Sequence, residues 1–216
     1  MKKILLLLTL AAGLNVAANA QDKPVSFGVK AGLALPSQTG SGMGLSMNTS
    51  SKTSFYVGGV ANINLSPIFS LQPGLTYIGK GGKMDFSDMA EEAGIDPEDA
   101  DALKATINFS YLELPVNLLA NFAAGTGKAF FGAGPYAAYA LSGNAKSGDL
   151  KEDAEFGSDE GQVKRMEFGV NFLGGYQLNN GLNLHVGYGL GLSNLENSSN
   201  SSTKNKVFSV GLGFNF

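Results

Sequence analysis

Every second residue is apolar in eight separate segments of this 216-residue chain. Alternation with a period of two is the pattern of a β-strand, whose side chains point to opposite faces of a sheet. In the more apolar phase the eight segments hold 44 positions without one charged side chain, although 15% of the chain is charged. The pattern therefore predicts an all-β fold with eight strands, at 27–35, 55–65, 69–77, 112–118, 131–141, 166–178, 182–192 and 208–216.

The other face of the same strands is polar and rich in glycine. It holds 13 of the 30 glycines, together with Lys30, Asn62, Asn64, Gln72, Thr76, Glu113, Asn117, Arg165, Glu167, Asn171, Gln177, Asn183, His185, Ser209 and Asn215. Eight such strands could form a soluble barrel around an apolar interior or a membrane barrel with an apolar exterior. Glycine weakens a strand on a solvated surface, whereas small residues make room inside a narrow barrel. We therefore predict a transmembrane barrel with the glycine-rich face inside.

The connections between these segments alternate in length. Segments 36–52, 81–106, 142–162 and 193–204 are long, whereas 66–68, 121–128 and 179–181 are shorter. Bacterial outer-membrane barrels have short periplasmic turns and long external loops. Aromatic residues near the strand ends would meet the membrane interfaces: Phe27, Phe55, Phe69, Tyr77, Phe168, Tyr176 and Phe216. We predict an eight-stranded antiparallel up-and-down transmembrane β-barrel with short periplasmic turns, long external loops and both termini in the periplasm.

The N-terminal residues have the composition of an export signal. Lys2 and Lys3 precede an apolar stretch over 4–16, and Ala18-Asn19-Ala20 matches a signal-peptidase site. We expect residues 1–20 to be a cleaved signal peptide and 21–216 to be one barrel domain in the cell outer membrane. The absence of cysteine excludes disulfides, thiolate metal sites and a lipid-modified N-terminal cysteine. A net charge of −3 argues against nucleic acid as a partner.

Three segments resemble one known family. Tyr111–Val116 reads Tyr-Leu-Glu-Leu-Pro-Val, Gly132–Tyr136 reads Gly-Ala-Gly-Pro-Tyr, and Val210–Phe216 reads Val-Gly-Leu-Gly-Phe-Asn-Phe. All three are similar to segments of the small outer-membrane β-barrel (PorT-like) family of Bacteroidota. The resemblance implies a barrel over residues 21–216, and one branch of the family takes part in protein secretion. The terminal Phe216 also resembles the signal read by the barrel-assembly machinery, which is therefore an expected partner.

The polar face carries the candidates for chemistry. Lys30, Glu113, Arg165 and Glu167 could line a permeation path or form an internal ion-pair network. We favour the network, because eight strands enclose only enough space for side chains and an unpaired buried carboxylate is costly. His185 is the only histidine and no serine motif lies near it, so we expect it to be structural. We predict no catalytic, cofactor-binding or metal-binding residue, and no enzymatic activity.

Acidic residues concentrate in two predicted external loops. Segments 81–106 and 142–162 hold 14 of the 18 acids: Asp85, Asp88, Glu91, Glu92, Asp96, Glu98, Asp99, Asp101, Asp149, Glu152, Asp153, Glu155, Asp159 and Glu160. Such runs could bind Ca²⁺ or bridge to lipopolysaccharide, but solvated charge is the commoner explanation. Asp96-Pro97-Glu98 is typical of a helix start, which predicts a short helix over 96–105.

These features favour a non-enzymatic structural or surface-interaction protein with a side-chain-filled lumen. Its expected partners are outer-membrane lipid and lipopolysaccharide. A transport or protein-secretion accessory barrel is the alternative, and a barrel enzyme is the least favoured class.

Overall fold

A computed structural model describes residues 25–42, 45–85, 104–148, 150–198 and 201–216. The predicted signal peptide over 1–20 and the first eight residues of the predicted helix over 96–105 lie outside these ranges. The last two residues of that helix are in strand, because Lys104 and Ala105 pair with Asp85 and Met84. The helix prediction is therefore wrong at its C-terminal end.

The described residues form ten strands: β1 Val25–Gly42, β2 Leu45–Asn48, β3 Ser54–Asn64, β4 Phe69–Asp85, β5 Lys104–Ala124, β6 Gly127–Ser147, β7 Leu150–Asp153, β8 Met166–Leu178, β9 Leu182–Gly191 and β10 Ser201–Asn215. Eight of them pair antiparallel in the order β10-β9-β8-β6-β5-β4-β3-β1, and β1 pairs with β10 to close the ring. β2 and β7 add short hairpins to β1 and β6. The predicted eight-stranded antiparallel barrel is confirmed.

The strands continue beyond the predicted segments and shorten the connections. β1 runs through Gly42 and β6 through Ser147, so segments predicted as long loops begin as strand. At the opposite end the connection between β5 and β6 contains only residues 125–126. Outside the lipid both faces of a strand meet water, so the apolar alternation disappears while the hydrogen-bonded ladder continues. The alternation therefore reports the membrane-spanning part of each strand.

The two faces of the barrel wall are oriented as predicted. None of the 44 alternating apolar positions is buried, and Leu114, Leu184 and Leu212 are each 56% exposed on the outer face. Thr76, Glu113 and Asn117 on the opposite face are buried inside the ring. The part of the chain that the structure describes contains no helix long and apolar enough to cross a membrane.

Glycines on the inner face leave room for large neighbours to lie against the barrel wall. The Tyr56 side chain on β3 crosses β1 and β10, where a Cβ at Gly32 or Gly211 would lie 2.8 or 2.2 Å from its hydroxyl oxygen. Likewise, a Cβ at Gly169 would lie 2.5 Å from the Tyr136 ring. These distances are well inside van der Waals contact, so only glycine permits the observed packing.

Candidate functional site

Three charged side chains meet inside the barrel in what we call the lumenal charge cluster. Lys80 on β4 lies between Glu113 on β5 and Glu167 on β8, with its Nζ 2.9 Å from Glu113 Oε2 and 3.1 Å from Glu167 Oε1. In the register of the sheet Ala138 on β6 stands between the two glutamates. Its methyl group is small enough to let their carboxylates approach the same ammonium group.

Neutral side chains supply the remaining hydrogen bonds of the cluster. Tyr136 donates to Glu167 Oε1 at 2.6 Å, and Asn205 Nδ2 donates to Glu167 Oε2 at 2.7 Å. Asn171 Nδ2 donates to Glu113 Oε1 at 2.9 Å. The Lys80 ammonium also lies 4.3 Å from the centre of the Tyr136 ring, within cation–π range. Each of the four carboxylate oxygens therefore has a donor.

Burial makes this arrangement energetically demanding. Lys80 is 1% exposed and Glu167 is 0% exposed. A buried charge is tolerated when it is paired and its lone pairs accept hydrogen bonds, and both conditions hold here. The chemistry of the cluster is that of a closed electrostatic network.

The structure places Lys30, Glu113 and Glu167 inside the barrel, as the sequence predicts. The prediction for Arg165 is wrong: it is exposed, directly before β8, and its guanidinium lies 4.5 Å from the centre of the Phe156 ring. Arg165 is two residues from Glu167, so the alternation of inward and outward positions along the strand predicts that it points inward. It lies before the first residue of β8, however, where the barrel wall no longer sets the direction of a side chain. Sequence reasoning also missed Lys80, which extends the inner-face parity of Thr76 three residues beyond the predicted segment over 69–77.

His185 is hydrogen-bonded to two polar neighbours in the lower lumen, the half of the barrel interior nearer the short turns. Its Nδ1 lies 2.9 Å from Asn183 Oδ1, an acceptor, so Nδ1 carries the proton. The unprotonated Nε2 then accepts a hydrogen bond from the Tyr56 hydroxyl at 2.6 Å. Both ring nitrogens are therefore hydrogen-bonded to side chains of the barrel wall. The partner of Nδ1 is an amide and not a carboxylate, so the three residues do not form the hydroxyl–base–acid series of a hydrolase.

The external segments interlock above the charge cluster. Val163 forms β-bridges with Phe156 and Glu196, and Ser50 forms one with Lys83. Phe156 packs edge-on against Phe109 of β5, with ring centres 6.2 Å apart. This packing joins the external connections to the apolar residues at the top of the lumen.

Burial at the external end also affects one lysine. Lys52, between β2 and β3, donates a hydrogen bond to Asn108 Oδ1 at 2.5 Å. Its burial lowers the pKa of the ammonium group from the ordinary lysine value.

The acidic segment over 142–162 is solvated where it is described. Glu152, Asp153, Glu155, Asp159 and Glu160 are all exposed. No group of three or more histidine, aspartate or glutamate side chains in the described ranges could hold a metal ion. Asp149 and the acids between residues 86 and 103 lie outside those ranges. Solvated charge therefore stays the prediction for the acids outside those ranges.

Three solved structures are similar to this chain at low sequence identity. Ail, the attachment invasion locus protein of Yersinia pestis, is 11% identical with a TM-score of 0.45, covering 90% of this chain and 100% of its own. Neisserial surface protein A is 14% identical with a TM-score of 0.46 and the same coverage. The outer membrane protease OmpT of Escherichia coli is 11% identical with a TM-score of 0.34, covering 92% of this chain and 99% of its own. No curated protein matches the sequence.

The family is established by sequence. Residues 19–197 match the family described as outer membrane protein beta-barrel domain, and this match spans most of the chain. Together with the closed ring of eight strands, it places the protein in the outer membrane. The chain belongs to the outer membrane protein β-barrel domain family.

Proposed function

We propose that this protein is a non-conducting, non-enzymatic outer-membrane barrel that presents a structured external rim to the cell surface and its surroundings. The observation that carries the proposal is the lumenal charge cluster. It joins β4 and β5 to β8 across the interior, in space that a permeating solute would need.

The closure draws on most of the barrel wall. Six of the eight ring strands contribute a side chain to one connected network: Gln38 from β1, Lys80 from β4, Glu113 from β5, Tyr136 from β6, Glu167 and Asn171 from β8, and Asn205 from β10. Gln38 joins through a 3.0 Å hydrogen bond from its Nε2 to Asn205 Oδ1. A path through the barrel would require several of these contacts to break together, leaving buried charges unpaired.

Strand length supports a role for the external rim. β5 and β6 each contain 21 residues. At the usual rise they are roughly 70 Å long, or roughly 50 Å along the barrel axis at typical tilt, whereas the lipid-facing band is about 25 Å tall. The strands are therefore longer than the lipid-facing band, and the excess length forms hydrogen-bonded sheet outside the membrane. This sheet is suited to contact with lipopolysaccharide or an outside partner.

Liposome swelling tests the closure. The purified barrel is reconstituted into liposomes, which are then diluted into an isotonic monosaccharide. We expect swelling no faster than in protein-free liposomes. Swelling at the rate produced by a general porin would contradict a closed lumen and favour transport.

We also propose, from the Tyr111–Val116 resemblance, that the chain is a PorT-like barrel. Tyr111, Glu113 and Pro115 of that segment point inward and are buried, which is consistent with a motif selected for lumenal packing. A secretion-accessory role would follow if crosslinking in living cells joins the external or periplasmic rim to components of a secretion system. Normal secretion in a deletion strain would contradict that role.

A further inference from the structure

The lower lumen contains a cavity on the periplasmic side of the charge cluster. Its volume is about 150 Å³, and its lining extends from Lys80 and Val207 to Asn64, Asn121 and Lys128 beside the short turns. Because the turns and both described chain ends mark the periplasmic end, the cavity is reached from the periplasm. A cavity of this size accommodates an aromatic ring or a molecule of similar bulk.

One wall of the cavity carries Lys30, which takes no part in the ion pairs of Lys80. Lys30 on β1 lines the cavity, and no salt bridge to it occurs among the described residues. Its neighbours across the sheet are Gly58 on β3 and Gly213 on β10, so neither residue beside it in the register carries a side chain. The two carboxylates above it are already bound by Lys80. An ammonium group in this position is suited to an incoming anion.

Two buried polar atoms on the cavity wall lack partners. Thr76 Oγ1 and Asn117 Oδ1 have no hydrogen-bond partner in the part of the chain that the structure describes, although their residues are only 3% and 2% exposed. Both residues line the cavity. An unsatisfied buried polar atom is costly, so such atoms in a cavity indicate a ligand with hydrogen-bonding groups. The amide oxygen requires a donor, and the hydroxyl can donate or accept.

The opposite wall carries a group of apolar side chains among polar ones. Leu119, Phe130 and Leu173 lie on β5, β6 and β8, and all three line the cavity. In the ring of eight strands β6 stands four places from β1, so Phe130 and Lys30 project from opposite walls. The cavity therefore places apolar side chains opposite Lys30, and the unpartnered Asn117 lies on the same strand as Leu119.

We propose that this cavity binds a small hydroxy carboxylate with an apolar body that enters from the periplasm. Lys30 receives the carboxylate, Asn117 and Thr76 hydrogen-bond its hydroxyl group, and the Leu119–Phe130–Leu173 wall contacts the apolar part. The site is separate from the external rim and does not depend on the rim's function.

Calorimetric titration of the detergent-solubilised barrel with mandelate tests the proposal, since mandelate combines a carboxylate, a hydroxyl and a phenyl ring. We expect saturable binding of one mandelate per barrel, and about tenfold weaker binding of its neutral amide. Lys30→Met should weaken mandelate binding by about tenfold, because a charge-assisted hydrogen bond is lost. Lys151→Met, an exposed external lysine, is the matched control and should bind as the wild type does.

A second variant separates loss of the site from loss of the fold. Leu173→Phe adds bulk to the cavity wall while keeping Lys30, and the neighbours of Leu173 across the sheet, Gly132 and Gly187, carry no side chain. We expect this folded variant to lose mandelate binding. The proposal is overturned if the folded wild type shows no saturable binding, or if Lys30→Met and Leu173→Phe both bind mandelate like the wild type.

Discussion

Replacing Lys80 by methionine should destabilise the barrel strongly. The substitution keeps the length of the side chain but removes the cation that lies 2.9 and 3.1 Å from two buried carboxylates. Removing one partner of a buried ion pair costs about 3–5 kcal/mol, because the remaining charge is left uncompensated. The lost cation–π contact with Tyr136 adds about 1 kcal/mol. For a chain of this size the total corresponds to a decrease of about 10–20 °C in unfolding temperature.

The assay follows the fraction of folded barrel after heating in detergent, read from the difference in electrophoretic mobility between folded and unfolded protein. Lys151→Met is the matched control, because Lys151 also forms an ion pair of 3.0 Å but is 51% exposed. Such surface pairs contribute less than about 1 kcal/mol. Glu113→Gln should lie between the two, since Lys80 keeps Glu167 as a partner. Equal unfolding temperatures for Lys80→Met and Lys151→Met would refute a stabilising role for the cluster.

Two further predictions concern the packing of Tyr56, and one concerns the acidic rim. Gly211→Ala should lower the unfolding free energy by about 1–3 kcal/mol, because its Cβ would lie 2.2 Å from the Tyr56 hydroxyl oxygen. Gly174→Ala, whose nearest contact would be 3.5 Å, should have little effect, and equal losses for the two variants would contradict the packing argument. Tyr56→Phe removes the 2.6 Å hydrogen bond to His185 and should cost about 1 kcal/mol in urea unfolding; unchanged stability would show that this bond contributes nothing. Calorimetric titration with Ca²⁺ should show no saturable heat, because the described acids of segment 142–162 are exposed; a saturable signal would assign a cation site to the loops.

The membrane-spanning part of this fold could be predicted from sequence because every side chain that contacts lipid has to be apolar. A charged side chain on the outer face is costly there, so apolar residues such as Leu114 and Leu184 recur at every second position. Outside the lipid no such rule acts on β1 beyond Leu35 or on β6 beyond Leu141. Their extensions are held by backbone hydrogen bonds that do not require a particular side-chain pattern.

The charge cluster could be predicted only in part for the same reason. Glu113 and Glu167 stand out because each is charged within an apolar alternation. Lys80 lies just beyond the alternating part of its strand, so only the parity of Thr76 points to its inward position. The prediction for Arg165 fails because the alternation of inward and outward side chains holds only within a strand, and Arg165 precedes the first residue of β8. The contacts among the cluster residues depend on the stagger of the closed ring, which local sequence does not specify.

Single-channel recording in planar bilayers tests the closed lumen most directly. We expect the wild-type barrel to insert without stepwise conductance. The double variant Lys80→Ala with Glu167→Ala, which removes one positive and one negative charge from the cluster, should show discrete openings. Steady conductance steps from the wild type, unchanged in the double variant, would contradict a lumen closed by Lys80, Glu113 and Glu167.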